Sequence, residues 1–270
     1  VWLTLEKVGF STRIDRTQTA EILGDGFTIA CHRSPSQSMM WQICTVPFAH
    51  FLWFMAAQLR IFVPPHPLVK HWLAVARDAE TPSPLFRSAM EELGRWLTYE
   101  AIREWLPTLE TTVNTPLGPC AATFINPDVP TMIVPILRAG LGLMPGIQGL
   151  LPLASIYHVG YVRNEETLEA SCYLNKLPAQ IDPQTRVIIS EPMLATGGTI
   201  MATLADLVSR GVDPALVRII AIVASPLALR KLADVYPTLT IFAAGIDEEV
   251  NDQGFIVPGL GDAGDRTFGS

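Results

Sequence analysis

The stretch Arg186-Val-Ile-Ile-Ser190 runs directly into Glu191-Pro192-Met193-Leu194-Ala195-Thr196-Gly197-Gly198-Thr199. From there Ile200, Met201, Leu204, Leu207 and Val208 recur at helical spacing through residues 199–210. A short apolar strand, a glycine-bearing loop and an amphipathic helix, in that order, form half of a parallel α/β unit. The same texture extends to either side. Short apolar runs at 131–137 (TMIVPIL), 155–162 (SIYHVGYV), 218–224 (RIIAIVA) and 240–244 (TIFAA) read as strands, and 141–151 and 226–235 read as helices. Runs that are apolar throughout suit strands covered on both faces. The expected fold is therefore α/β, a mostly parallel central sheet with helices on both faces. Upstream, 68–77 reads as one helix. Leu85, Ala89, Leu93, Trp96, Leu97, Ile102 and Trp105 form the stripe of a longer one. Residues 111–124, rich in Thr, Asn, Pro and Gly, suit an irregular excursion or a β-hairpin, a small β-rich arm beside the sheet.

Composition narrows the class. The 270 residues are 49% hydrophobic and 17% charged, with a mean hydropathy of +0.30, which excludes a disordered, collagenous or coiled-coil chain. A net charge of −7 lacks the overall positive balance on which non-specific nucleic-acid binding relies. The cysteines Cys31, Cys44, Cys120 and Cys172 have no C-x-x-C pairing, so they are expected to be reduced, buried thiols. The greasiest stretch, 43–57, is shorter than a membrane span and carries Pro47 and His50, so no membrane segment is expected. No secretory leader pattern is found in the first thirty residues, and the expected location is the cytoplasm. Residues 1–54 show no sustained periodicity beyond a short strand at 27–30. They are set apart as an N-terminal extension whose place in the native protein the sequence leaves open, ahead of a domain at 55–270. Met55 is the expected start of that domain.

In parallel α/β sheets, ligands sit beyond the carboxyl ends of the strands. Behind Ser190, Gly197 and Gly198 allow close backbone approach, Thr196 and Thr199 offer hydroxyls, and a helix N-terminus presents free amides. Those features suit a phosphate monoester; a plain glycine turn capped by threonine would also produce them. The spacing G-x-x-x-x-G-K-[ST] is absent, which disfavours nucleoside triphosphate hydrolysis. Arg138, followed by Ala-Gly-Leu-Gly142, ends the 131–137 run and can hold an oxyanion with two bonds. Arg163-Asn-Glu-Glu-Thr-Leu-Glu169 follows the next strand; on composition alone it reads as a solvated loop. Finally, residues 251–265 make a long glycine- and proline-broken segment, of the kind that usually carries function.

VPILRAGLGLMPG, YVRNEETLE, EPMLATGGT and GFIVPGLGDAGDRTFG, in this order, resemble the motifs of uracil phosphoribosyltransferases. The resemblance runs backward through HPLVKHWLAVARD and LTYEAIREWLPTLE and covers about residues 65–269. It implies a type I phosphoribosyltransferase fold and transfer of a phosphoribosyl group from 5-phospho-α-D-ribose 1-diphosphate to uracil, giving UMP and pyrophosphate. It also implies magnesium on the donor, a homo-oligomer and a GTP-type activator. By motif position, Glu191, Pro192, Met193, Leu194, Ala195, Thr196, Gly197, Gly198 and Thr199 bind the donor, the last five its 5′-phosphate and Glu191 its ribose hydroxyls. Arg138 and Arg163 fall where the family holds pyrophosphate. Ile256, Gly261, Asp262 and Ala263 fall where it holds uracil, and Asp262 also meets the donor; Arg138, Arg163 and Asp262 are the catalytic candidates. No protein cage for a metal is expected. The family's motif ordinarily opens with aspartate where Glu191 stands, and the extra methylene moves the carboxylate by about 1.5 Å. The alternatives from the sequence are a regulator of the same fold that binds RNA with little catalysis, and a phosphoribosyltransferase for another base.

Overall fold

The computed structural model describes residues 58–163 and 170–270, together with three two-residue strands, β1 (Ile22–Leu23), β2 (Gly26–Phe27) and β3 (Val46–Pro47). The chain divides into two compact units, Val1–Ala56 and Ala57–Ser270. In the first, β2 pairs antiparallel with β1 and β3. Of the strand expected at 27–30, Phe27 falls in β2 and residues 28–30 lie outside the described residues.

The second unit begins with β4 (Arg60–Phe62), α1 (Pro67–Arg77) and α2 (Ser83–Ile102), then the hairpin β5 (Thr108–Thr115) and β6 (Gly118–Ile125). After β7 (Thr131–Leu137) come a 3-10 turn at Ala139–Leu143 and α3 (Met144–Leu150). Strands β8 (Ser155–Ile156), β9 (Val159–Arg163) and β10 (Ala170–Asn175) follow. Next are β11 (Arg186–Ser190), β12 (Met193–Leu194), α4 (Gly198–Ser209), β13 (Val217–Ala224), α5 (Pro226–Val235) and β14 (Thr240–Ile246). The chain closes with β15 (Glu249–Val250), β16 (Ile256–Val257) and α6 (Ala263–Phe268).

The main sheet runs β10-β9-β7-β11-β13-β14-β4, parallel throughout except for β10 against β9. Side chains alternate across it as the pleat requires. Ile188, Ile220 and Ile222 enter a core with Phe86, Leu93 and Leu97 of α2. Val187, Ile189 and Ile219 enter the opposite one with Leu204 and Leu207 of α4 and Leu232 of α5. Two covered faces explain why these strands are apolar without a break.

The structure corrects several details. Of the stripe expected on α2, Ala89, Leu93 and Leu97 are buried, joined by Phe86 and Met90, whereas Leu85 is 43% exposed because the inward face at the start of the helix opens at Phe86. Trp105 lies beyond the helix and is still buried. The run 155–162 is two strands, β8 and β9. Met132 pairs with Ser155 and Ile136 with Val159, so the register puts the gap opposite Pro135, which has no N–H to donate. The 141–151 helix opens as the 3-10 turn. Cys120 and Cys172 are exposed thiols rather than buried ones, since β6 and the sheet-edge strand β10 have open faces; Cys31 and Cys44 lie outside the described residues. Strands β4 and β10 have no counterpart among the runs read from the sequence. Among the described residues, no helix is long and apolar enough to cross a membrane.

Candidate active site

The ends of β7, β9, β11, β13 and β14 define one edge of the sheet, and the candidate residues gather there. After β11 the chain turns at Glu191 and Pro192, whose carbonyl accepts the amides of Ile222 and Val223 at 2.9 and 3.0 Å. Met193 and Leu194 then pair with Val223 and Ala224 as β12. The next three residues are held by α5 from outside. Ser225, the N-cap of α5, donates its hydroxyl to the Ala195 carbonyl, and Lys231 Nζ donates to the Thr196 carbonyl at 2.9 Å. Gly197 caps α4 at φ +79°, a conformation that favours glycine, and a Cβ there would stand 3.3 Å from Ala228 Cα. Met201 N–H reaches the Gly197 carbonyl at 3.1 Å. The amides of Gly198, Thr199 and Ile200 precede it in the first turn and are those a helix leaves without internal acceptors. With the carbonyls engaged behind and these amides in front, residues 195–199 make a cradle of free donors of the kind an anion takes.

Glu191 stands between β11 and this cradle. Its amide donates to the Ile220 carbonyl at 3.1 Å, while its Oε2 is shut off from solvent without a hydrogen-bond partner. Burial pushes the carboxyl up to about 8.

Arg138 ends β7. Its turn lies against the end of β11: Ser190 Oγ donates to the Gly140 carbonyl at 2.8 Å, and a Cβ on Gly140 would come within 2.4 Å of the Ser190 carbonyl. No larger residue fits there. The exposed Arg138 guanidinium bonds Asp265 Oδ1 at 2.7 Å and Ser270 Oγ at 3.0 Å. Asp262 Oδ1 caps α6 by accepting Asp265 N–H at 2.9 Å. A Cβ built on Gly264 would be 3.1 Å from that oxygen and 3.8 Å from Arg138 Nη2, so Asp262 and Arg138 both lie close around Gly264. Arg163 terminates β9 beside β7, at the same edge by backbone position, and 164–169 lie outside the described residues.

The segment 251–265 is less irregular than the sequence suggested. A β15–β16 hairpin leads to a left-handed Gly259 and then to α6. Ile256 is buried at 3% and Ala263 likewise, while Gly261 and Asp262 are exposed above them. Two residues that the sequence reading passed over hold this loop. Arg77 donates to the Gly259 carbonyl at 2.8 Å, and Arg266 donates to the Leu260 carbonyl at 2.8 Å and to those of Ala76 and Asp78 at the end of α1. Those two loop carbonyls are therefore engaged already.

Among the described residues, no three His, Cys, Asp or Glu side chains converge as a metal site. A parallel sheet with a strand-to-helix anion cradle at its carboxyl edge and an arginine turn beside it is the architecture of a type I phosphoribosyltransferase. A family model described as uracil phosphoribosyltransferase matches residues 63–270. A Nostoc sp. uracil phosphoribosyltransferase is 72% identical over 216 residues, 80% of this chain and 100% of the relative. The Nicotiana tabacum protein of that name is 51% identical over 79% of this chain and 95% of its own. A solved structure of an Aquifex aeolicus protein superposes with a TM-score of 0.71 at 36% identity, covering 77% of this chain and 97% of the other. The chain belongs to the uracil phosphoribosyltransferase family.

Proposed function

We propose that this protein transfers the phosphoribosyl group of 5-phospho-α-D-ribose 1-diphosphate to uracil, releasing pyrophosphate and forming UMP in pyrimidine salvage. The observation that carries the reading is the meeting, at one sheet edge, of the 195–199 cradle, the Arg138 turn and the braced 256–263 loop. In it the 5′-phosphate takes the first-turn amides of α4 and the Thr196 and Thr199 hydroxyls. The ribose hydroxyls go to the Glu191 carboxyl, whose Oε2 no protein group satisfies. As the C1′–O bond breaks toward an oxocarbenium-like state, its electron pair leaves with pyrophosphate, whose charge Arg138 and Arg163 neutralise. Uracil N1 then bonds C1′, and its proton passes to the departing pyrophosphate.

Uracil offers two carbonyl acceptors flanking an N3–H donor. The Gly261-Asp262-Ala263 turn provides amides for the carbonyls. With the Gly259 and Leu260 carbonyls engaged, the acceptor for N3–H falls to the remaining carbonyls of the loop, Ile256 among them. Cytosine presents a bare N3 in place of that N–H and sets its amino group against an amide donor, so a site of this kind discriminates strongly. Magnesium, a hard cation that keeps its waters, fits a site made of the donor's own oxygens with the exposed Asp262 carboxylate at hand, and it would offset the donor's negative charge.

We further assign catalysis to residues 55–270, and to the cytoplasm, with a second copy of the chain and a GTP-type activator as the partners to test by sizing and by titration. Pyrophosphate release from the donor, measured with each nucleobase in turn, tests the central reading. Uracil should exceed cytosine by at least about 100-fold in kcat/KM. Equal use of the two bases would defeat it, and a truncation starting at Met55 should keep the activity.

A further inference from the structure

The amino-terminal edge of the sheet, opposite the proposed active site, holds a constellation that the transfer reaction does not use. Arg186 opens β11, Arg218 lies one residue into β13, Thr240 opens β14 and Arg60 opens β4. The register pairs Ile188 with Arg218, Arg218 with Thr240 and Thr240 with Arg60. Paired residues of a parallel sheet share a face, as do residues two apart, so all four side chains project to the side that packs against α2. Trp105 lies there, with the guanidinium carbons of Arg186 and Arg218 at 6.0 and 5.5 Å from its ring centre.

Three buried side-chain polar atoms at this place lack a partner. Trp105 is 6% exposed and Thr240 2%, yet Trp105 Nε1 and Thr240 Oγ1 have no hydrogen-bond partner, and neither has the buried Arg186 Nε. Arg218 spends its side-chain bonds on the carbonyls of Ala215 and Val217, at 3.3 and 3.2 Å. None of the ion pairs found among the described residues includes Arg60, Arg186 or Arg218. Burial, together with the charges of Arg60 and Arg186, pulls the Arg218 guanidinium down to about 10. The Arg60 and Arg186 guanidiniums thus make the Arg218 charge more costly, and unpaired buried donors add to that cost.

We propose that this edge is a second anion site, distinct from the 195–199 cradle, which takes a tetrahedral oxyanion of the phosphate class between Arg218 and Arg60 above the Thr240 hydroxyl. The donor set selects that chemistry. A dianion with four oxygens offsets more of the accumulated positive charge than a single carboxylate does, and it gives the arginine forks and the hydroxyl separate acceptors. The two sites are independent in space: β13 alone, from Arg218 here to Ala224 beside the cradle, spans roughly 20 Å by the rise of a strand.

Thermal unfolding of the full chain, saturated with UMP to fill the cradle, tests the site. Sodium phosphate should raise Tm by roughly 2 to 4 °C beyond sodium chloride at matched ionic strength, as expected for a ligand well above its Kd. Arg60→Met, at an exposed position, and the near-isosteric Thr240→Val should each lose most of that increment while keeping parental uracil turnover, which reports the intact opposite edge. Arg218→Met should lose the increment and, without phosphate, unfold no lower than the parent because a repulsion has gone. An increment unchanged in these variants would place phosphate in the proposed active site alone and overturn the proposal. A chloride response equal to that of phosphate would reduce the effect to screening and overturn it too, and acetate acting as strongly through Arg218 would overturn the tetrahedral assignment.

Discussion

Arg77 and Asp247, 170 residues apart in sequence, meet as a two-pronged ion pair, Nη1 on Oδ2 and Nη2 on Oδ1, each at 2.7 Å. Between them they hold both polar groups of Gly259: its N–H donates to Asp247 Oδ2 at 2.9 Å, and its carbonyl accepts from Arg77 Nη1 at 2.8 Å. A Cβ at Gly259 would stand 2.1 Å from the Ile256 carbonyl, so the pair steadies a turn that only glycine can make.

This clamp bears on the base loop rather than on the cradle, so its loss should appear in one Michaelis constant and not the other. Asp247→Ala is expected to raise the KM for uracil by about tenfold or more while the donor's moves by less than about threefold, with about 1–3 kcal/mol of stability lost as the Gly259 N–H is left unpaired. Burial raises the Asp247 carboxyl, but the bonds from Arg77 and Gly259 and the Arg77 charge outweigh it and hold the pKa below the usual carboxylate range. Its contribution to stability is therefore complete above the unfolded value and is lost as pH falls through the lowered folded value. Equal effects on both substrates would show a general loosening instead.

The cradle makes a separate claim through Gly197. Gly197→Ala must place a methyl-bearing residue at φ +79° and 3.3 Å from Ala228 Cα, which costs about 1–2 kcal/mol in backbone strain and pushes α5 away from α4. Donor KM should rise by at least about fivefold with uracil KM little changed. Chemical denaturation and steady-state kinetics on the same variant check both parts, and a donor KM at the parental value would remove Gly197 from the phosphate site.

What the chain discloses before folding depends on how far apart the participants lie in it. The 195–199 cradle was legible because its strand, loop and helix are contiguous, and β11, β13 and β14 were legible because burial on both faces leaves no polar residue to interrupt them. The Arg77–Asp247 clamp had no local signature, since Arg77 sits in a quoted stretch that gave it no role, Asp247 sits in none, and only the pairing of β13 with β14 brings Asp247 beside Ala224. Strand β10 escaped notice because an exposed antiparallel edge strand, ASCYLN, lacks the apolar run that marked the others. The same openness accounts for Cys172, expected inside and found outside. At the opposite edge, Arg186 and Arg218 each read as an ordinary strand start and Arg60 fell in no run read from the sequence, and only the register makes the three neighbours.

Arg138 is engaged by an acid of its own chain, and the strength of that contact sets how readily the proposed pyrophosphate contact can replace it. The Arg138 and Asp265 side chains are 54% and 48% exposed, so solvent screens the pair and it is worth about 0–1 kcal/mol. Asp265→Asn should therefore lower the donor KM by less than about fivefold, whereas Arg138→Ala should cut kcat by about 10² or more. A loss from Asp265→Asn as large as that from Arg138→Ala would mean that the acid takes part in the reaction.

Glu191 gives the most searching test, because burial raises its carboxyl pKa. Folding raises its carboxyl from 4.5 to about 8, so between those values the folded chain binds more protons than the unfolded one, and stability falls as pH rises through that window. The loss amounts to a few kcal/mol, at about 1.4 kcal/mol per unit. Glu191→Gln should flatten this dependence and raise Tm near pH 8. Ribose hydroxyls donating to Oε2 favour the carboxylate, so donor binding near pH 7 should expel a proton, seen as a binding heat that changes with the ionisation enthalpy of the buffer; in Glu191→Gln that dependence should vanish. Kinetics complete the argument. Glu191→Ala should cost at least about tenfold in kcat/KM for the donor, each charge-assisted bond being worth roughly 1.5–3 kcal/mol, while Glu191→Asp, one methylene shorter, should stay within about tenfold of the parent. If Glu191→Ala is silent and Glu191→Asp gains well over tenfold, the longer side chain disables the ribose contact, and Glu191 leaves the set of donor-binding residues.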